Sequence, residues 1–529
     1  MQTPLALVPL AAPAALLAVA LLARAESGRS PHRVLRAASA ASVVSLAAAA
    51  AAWVLVALHG TLETPLLGVA GLGLSVRVDG LSAAMFALVA TLGAAVLRYS
   101  RAYLAGDARH GAFLGGLAAT IASVMLLVLS GNLVQLVALW AATSLALHRL
   151  LLFYPERPAA VVAARKKFVA ARAGDVALVA AAVLLVREFG TGDLGVLAAR
   201  VAEGFGPGGA PIAVHAAAIL VGLSAALKSA QFPTWGWLFE VMETPTPVSA
   251  LLHAGILNGG IFLVARLGGV MAASEPALAL LVLVGGTTAL LASIAMVTQT
   301  QVKGALAASS AAHMGFMLFA CGLGAYPAAI LHLVAHSFYK AHAFLSSGSA
   351  VEVARASAVA GGRARPGAAA IGTGFALAVA TVAGTAALLG YRLAEEPVLL
   401  GLSAVLAIGL TQLLAHGAAG RAAPRVLGAS VLAGAATTVA FFVLEKGAAH
   451  ALGASVLHGG APGTATALVM AAMVALFAAA MLFQLLLPRL AQRPRWAALW
   501  VHARNGFYAN ARFDRLVGSL APLSPEVRR

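Results

Sequence analysis

Lys228 stands at the end of a largely apolar stretch, Ile212 to Leu227, and opens the segment KSAQFPTWGWLFEVMETPTPVSALLHAG. Holding an ammonium at membrane depth costs about 2.5–3.5 kcal/mol on insertion scales, so such a residue usually serves a polar route and has a partner nearby. Pro233 removes a backbone donor and clashes with the turn before it, which predicts a helix broken close to the lysine. Breaks of this kind turn backbone carbonyls and water toward a cavity at mid-membrane. Glu240 and Glu243 follow, and Pro245 and Pro247 bracket the start of the next helix. A carboxylate partner changes how firmly an ammonium holds its proton, so a proton on Lys228 becomes movable when the partner changes. The plainer reading is a lysine that snorkels to the surface from near a helix end. The nearby carboxylates, the break and further titratable groups in later spans weigh against it.

His253 lies in the otherwise apolar segment SALLHAGILNGGIFLVARL, where a single histidine more often packs than relays. Three more histidines change that balance. His332 and His336 in HLVAHSFYKAHAF are one helical turn apart, and Lys340 follows one turn later, so the three drift slowly around one helix face. The helix before carries Lys303 at its start and His313 further along, in VKGALAASSAAHMGFMLFACGL, although Lys303 is equally suited to anchoring a helix end at the interface. Two histidines a turn apart are also a metal motif. Here HLVAH lacks the glutamate of H-E-x-x-H, no acidic third ligand is near, and an ammonium one turn away repels a cation, so no metal and no cofactor are expected. Imidazole titrates near pH ~6.5 and suits proton transfer. His342 falls off the shared face. Arg172 and Asp175, three residues apart, are expected to neutralise one another as a structural ion pair.

The elements that must position these groups are membrane helices. Of 529 residues, 61% are hydrophobic and 10% charged, which places the chain in the membrane class. Apolar runs long enough for a hydrocarbon core of about 30 Å recur from end to end. The expected spans are 3–24, 34–58, 79–100, 111–129, 131–153, 168–187, 211–241 (interrupted), 246–266, 276–298, 303–322, 326–348, 367–390, 398–418, 427–446 and 464–487. The first is expected to be a retained helix, since no A-x-A-like cleavage site leads into a polar domain. Unalternating Ala/Leu/Val runs indicate helices and not barrel strands. The net charge of +17 sits mainly in the loops 24–36, 98–109, 149–172, 355–365 and 421–425 and the tail 489–529. That distribution is the positive-inside asymmetry, with the amino terminus out and the carboxyl terminus cytoplasmic; it implies contact with membrane lipid and no nucleic-acid partner. The single cysteine, Cys321, excludes a disulfide framework or thiolate cluster within the chain, and no G-x-G-x-x-G lies between a strand and a helix.

Taken together, KSAQFP, VMETPTPVSALLHAG and HLVAHSFYKAHAFLSSGSAV resemble the proton-conducting membrane subunits of respiratory complex I, subunit L above all, and of Mrp-type cation/proton antiporters. The resemblance is densest from Arg165 to Ser349. It implies an all-α polytopic membrane protein of about 14–15 transmembrane helices, with two inverted five-helix antiporter-like repeats and broken helices. On that likeness residues 1–110 form amino-terminal helices and 111–266 a first bundle with its break near 228–245. Residues 267–446 form a second bundle, and 447–529 a last helix and basic tail. The implied proton pathway is Lys228, Glu243, His253, Lys303, His313, His332, His336 and Lys340, with helix breaks at Pro233, Pro245 and Pro247.

Two departures narrow the choice. Where complex I subunits carry a glutamate after a tryptophan, this chain has Trp140-Ala141, which leaves Glu243, Glu240, Asp175 or no carboxylate at all to tune Lys228. In 367–390 and 398–418 no lysine occurs, only Gln412 and His416, so the second half-channel is open to question. The tail, RWAALWVHARNGFYANARFDRLVGSLAPLSPEVRR, replaces a long lateral helix and most resembles the DabB family, the membrane subunits of inorganic-carbon accumulation complexes. That likeness implies a large cytoplasmic, zinc-dependent carbonic-anhydrase-like partner (DabA-like). It implies proton or sodium flow that drives bicarbonate accumulation, with no catalytic centre in this chain and residence in a bacterial inner membrane. The alternatives are an antiporter-like subunit of NADH-quinone oxidoreductase or Mrp, and a scaffold that no longer conducts.

Overall fold

The computed structural model describes residues 3–28, 31–206, 209–241, 244–349, 366–419, 423–456, 462–490 and 494–520. The chain is a helical bundle. It runs through α1 (Ala11–Ala25), α2 (His32–His59), α3 (Gly80–Tyr103), α4 (His110–Val128), α5 (Leu133–Leu151) and α6 (Pro158–Phe189). The broken region comprises α7 (Ile212–Lys228), α8 (Gly236–Glu240), α9 (Thr246–Ala254) and α10 (Gly259–Arg266). There follow α11 (Glu275–Thr298), α12 (Val302–Gly322), α13 (Tyr326–Leu345), α14 (Ala368–Leu388), α15 (Pro397–Ala418), α16 (Ala423–Leu452) and α17 (Thr464–Leu490). The tail forms α18 (Pro494–Arg504) and α19 (Ala509–Leu520).

Among the described residues, 13 helices are long and apolar enough to cross a membrane. The two remaining expected spans are the interrupted α7–α8 and the histidine-bearing α13. Their starts follow local chemistry. Asp79 caps α3 by accepting from the Ser82 amide, Asn132 caps α5 by accepting from the Val134 amide, and proline occupies the first turn of α6, α9, α11, α13 and α15. Burial sorts the helices. The span α9–α10 is 89% buried and α3 and α12 are each 72% buried, against 17% for α17, so the helices carrying the candidate relay form the interior. Interior helices approach through small residues: a Cβ on Gly285 of α11 would stand 2.5 Å from the Gly315 carbonyl oxygen of α12.

Three local features depart from the sequence expectation. Helix α6 begins at Pro158, not near 168, because proline preorganises a first turn there. Lys166 and Lys167 therefore lie buried within a helix and not in an interior loop. The segment between α2 and α3 forms two short antiparallel pairs, β1 (Leu62–Glu63) with β4 (Arg77–Val78) and β2 (Leu67–Val69) with β3 (Leu72–Leu74). The expected span 246–266 is interrupted at Gly255, with a single 3-10 turn at Ile256–Asn258 between α9 and α10.

A buried ion cluster ties the first helices to the end of the broken region. Asp79, fully buried, receives Arg266 at 2.5 and 3.1 Å and the Arg77 Nε at 2.9 Å, and Arg266 also donates to the Ser82 hydroxyl at 2.7 Å. Burial alone pushes the Asp79 carboxyl up; Arg266 first, then Arg77 and the Ser82 amide, outweigh it and hold the group well below the usual carboxylate range. A carboxyl depressed only in the folded state stabilises fully above its unfolded value, about pH 4, and loses that contribution as pH falls toward the folded value. Asp79→Asn leaves Arg266 buried without its charge partner and is expected to cost about 3–5 kcal/mol. Thermal unfolding of the detergent-solubilised chain should show a lower Tm and a weaker acid dependence; an unchanged Tm would mean the cluster contributes nothing.

Candidate ion-conducting site

Helix α7 ends at Lys228, ahead of Pro233; Ser229 closes it and Ala230 adopts φ +50°, left-handed for a residue with a Cβ. The polar groups freed by the break find protein partners. The Gln231 side-chain amide donates to the Ser229 carbonyl at 2.8 Å, the Phe232 backbone amide donates to the Thr288 hydroxyl at 3.1 Å, and the Ser229 hydroxyl donates to the Leu257 carbonyl at 2.9 Å across the second break. Gly260 permits this crossing, because a Cβ there would sit 2.2 Å from the Ser229 hydroxyl oxygen. Pro245 precedes α9 and Pro247 lies in its first turn, where neither proline removes a needed amide.

The partly buried Lys228 turns toward α5. Its ammonium donates to the Trp140 carbonyl at 2.9 Å and to the Thr143 hydroxyl at 3.0 Å, and lies 3.9 Å from the centre of the Trp140 ring. Among the described residues no carboxylate oxygen hydrogen-bonds to it. Among the described carboxylates Asp175 acts on it electrostatically, and Asp175 is itself 2.6 Å from Arg172. One turn along α5, the Ser144 carbonyl and hydroxyl accept from the buried Lys167 at 2.6 and 2.8 Å. Lys167 and Lys228 line one cavity with Ser144, Trp237, Leu252 and Ile256.

From the second break a polar chain leads to α13. The fully buried Asn258 donates to the Ser337 hydroxyl at 2.7 Å, and Ser337 lies between His336 and Lys340 on that helix. Lys340, also fully buried, donates to the Leu306 carbonyl of α12 at 2.9 Å. His253 stacks on Phe344 with ring centres 4.4 Å apart. His313 and His332 share a hydrogen bond of 2.9 Å, and the His336 ring lies 4.7 Å from that of His313. Neither ring nitrogen of His253 or His336, nor the Asn258 carbonyl oxygen, has a hydrogen-bond partner among the protein atoms described. Buried imidazoles in such positions call for water or another polar guest.

Other expected residues fall elsewhere. Lys303 sits in the first turn of α12, half-buried, and His342 is exposed. Glu243 lies outside the described residues. Glu240 does not pair with Lys228: α8 turns toward α6, where the Glu240 carboxylate binds the Lys166 ammonium at 2.5 and 2.7 Å. Gln412 and His416 are exposed on α15, and His416 Nδ1 lies 2.8 Å from the Gln412 carbonyl oxygen, so neither stands in the interior as a counterpart to Lys228.

Sequence reading missed Lys166, Lys167, Thr143, Ser144, Asn258 and Ser337. Extending α6 back to Pro158 would have brought the two lysines into the helix; the hydroxyl and amide residues carry no spacing signal of their own. It also missed where the tail goes. Asn510 donates to Glu240 at 2.8 Å and accepts from Lys166 at 3.1 Å, and Asp514 pairs with Lys166, so α19 is fastened beside the break.

A broken-helix pair with a buried ammonium, joined by polar side chains to a helix bearing histidine and lysine, defines an antiporter-like membrane subunit. Comparison with known proteins agrees. Residues 130–360 match the family described as NADH:quinone oxidoreductase/Mrp antiporter, TM, and residues 68–114 match NADH-Ubiquinone oxidoreductase (complex I), chain 5 N-terminus. The chain is 38% identical over 450 residues to a probable inorganic carbon transporter subunit DabB2 of Halothiobacillus neapolitanus, covering 84% of this chain and 81% of that one. It is 37% identical over 281 residues to NADH-quinone oxidoreductase subunit L of Escherichia coli, covering 53% of this chain and 46% of that one. The solved Mrp complex from Dietzia sp. DQ12-45-1b contains a chain of like fold, with a TM-score of 0.59 at 25% identity over 98% of this chain and 57% of that chain. The chain belongs to the membrane-subunit family of complex I and Mrp antiporters and stands close to its DabB members. It is an ion-conducting, multi-pass membrane subunit of antiporter type.

The tail contact yields a test. Lys166→Ala leaves Glu240 and Asp514 facing one another without a cation and is expected to weaken docking of α19 by about 1–3 kcal/mol. Limited proteolysis should cleave 494–520 faster in Lys166→Ala than in wild type, while Lys166→Arg stays close to wild type. Equal cleavage in all three would show that this contact does not hold the tail.

Proposed function

We propose that this chain conducts protons, or sodium ions, as the membrane subunit of an inorganic-carbon uptake complex in a bacterial inner membrane. A large cytoplasmic carbonic-anhydrase-like partner uses that flow to drive net hydration of CO2 to bicarbonate. The observation that carries the reading is the interior series of polar side chains from Lys228, past the two breaks by way of the Ser229–Leu257 and Asn258–Ser337 hydrogen bonds, to Lys340 on α13. The side chains of Lys228, Ser229, Asn258, Ser337 and Lys340 are titratable or can donate and accept a hydrogen bond, with orphaned imidazole nitrogens alongside. His253, His313, His332 and His336 flank the route, and Lys303 stands at its α12 end. Asp175, with its Arg172 partner, serves as the distant counter-charge in place of a carboxylate at position 141.

The likeness to DabB2 over most of both chains supports inorganic carbon as the cargo. The basic loops support a cytoplasmic carboxyl terminus with the amino terminus outside. The fastening of α19 to Lys166 and Glu240 beside the break supports the tail as the partner-docking element.

Lys228→Ala should abolish bicarbonate accumulation in cells that co-express the partner, with the complex still assembled on purification. Full accumulation in that variant would exclude the route. A second reading, a subunit of an Mrp-type or quinone-reducing assembly, draws on the fold match to Mrp over nearly the whole chain. Co-purification separates the two: a zinc protein of carbonic-anhydrase type favours the first, and further antiporter or dehydrogenase subunits favour the second.

A further inference from the structure

The helix α13 motif HLVAH offers two imidazoles and no third ligand nearby in sequence. The fold supplies one. His313, on α12, brings a ring nitrogen to His332 and His336, and one nitrogen from each of the three residues lies within 4.8 Å of the others. Both ring nitrogens of the buried His336 lack a hydrogen-bond partner among the described protein atoms, so its lone pair is uncommitted. His313 and His332 are held together by a hydrogen bond that a metal would replace.

We propose that His313, His332 and His336 form a binding site for a borderline divalent transition ion of the Zn2+ class, and that the ion plugs the polar route when it binds.

Three neutral imidazoles are a complete protein set for tetrahedral zinc, with water in the fourth position. Imidazole suits Zn2+, Co2+ and Cu2+ and disfavours Mg2+ and Ca2+, so alkaline-earth ions are poor ligands for the site. Zinc–nitrogen bonds of about 2.0–2.1 Å put tetrahedral ligand nitrogens roughly 3.4 Å from one another, so the widest gap among the three must close by at most about 1.4 Å while the hydrogen-bonded His313–His332 pair opens slightly. His313 and His332 are only partly buried, which leaves their rings room to turn. Lys340, one turn beyond His336, opposes the ion electrostatically. Its ammonium is drawn away to the Leu306 carbonyl at 2.9 Å, and removing its charge strengthens binding. A bound ion occupies the imidazole nitrogens that a migrating proton would use. The binding is independent of the proposed conduction; only the block rests on it.

The test uses the full chain, with whatever subunit co-purifies, in lipid nanodiscs. Zn2+ titration by calorimetry should show one site per chain, and Co2+ should give the visible absorption of a tetrahedral imidazole complex. His313→Gln keeps a hydrogen-bonding side chain and is expected to lower Zn2+ affinity at least tenfold, as is His336→Gln. His342→Gln, at an exposed position on the same helix, should bind as wild type, and Lys340→Met should bind more tightly. In vesicles, Zn2+ should stop the ion flux of wild type and spare that of His313→Gln. Absence of stoichiometric binding to wild type, or equal binding in His313→Gln and His336→Gln, overturns the site. Binding with the expected variant pattern in a chain that carries no flux leaves the site standing and rejects conduction instead.

Discussion

An ammonium held on a backbone carbonyl organises the interior of this protein. Lys228 has no carboxylate hydrogen-bonded to it among the described residues. It rests on the Trp140 carbonyl, the Thr143 hydroxyl and the face of the Trp140 ring. Dipoles and a ring quadrupole stabilise an ammonium less than a full countercharge does. The broken α7 puts the amine there, Gly260 lets the second broken helix close over it, and the Ser229–Leu257 bond ties the two breaks together. Lys167 repeats the arrangement one turn along α5. The two amines come from α6 and α7, rest on successive turns of α5 and face one cavity, so they repel when both are charged.

Much of the fold was legible because lipid imposes one solution on the backbone. Fifteen spans follow from apolar runs and proline positions, and the structure provides them as thirteen uninterrupted or nearly uninterrupted helices plus α7–α8 and α13. The sequence also signalled the break after Lys228 and the turn-by-turn series on α13. It was silent where side chains meet across helices. Nothing in the sequence aims Glu240 at Lys166 instead of Lys228, because that depends on which way five residues of α8 turn. His313 is in the pathway that the resemblance implies, but nothing in the sequence pairs it with His332; only the meeting of α12 and α13 does.

The misplacement of Lys166 and Lys167 has a physical origin. Charge distribution assigns loops to a membrane side on the assumption that lysines outside an apolar run are solvated. The run RKKFVAARAGD breaks that assumption, since small alanines around the charges let α5, α7 and α19 pack over them. The Asp79 cluster has the same character: Arg77 and Arg266 read as flanking charges, yet both point inward at one carboxylate and lock the first helices to the end of α10.

The fastening of α19 carries a practical consequence. Glu240 and Asn510 are separated by 270 positions in the chain, yet with Asp514 they share one lysine beside the helix break. The carboxyl-terminal region is thus mechanically in series with the broken-helix segment, and a fusion or affinity handle appended there loads the same anchor. A handle at the amino terminus does not load that anchor.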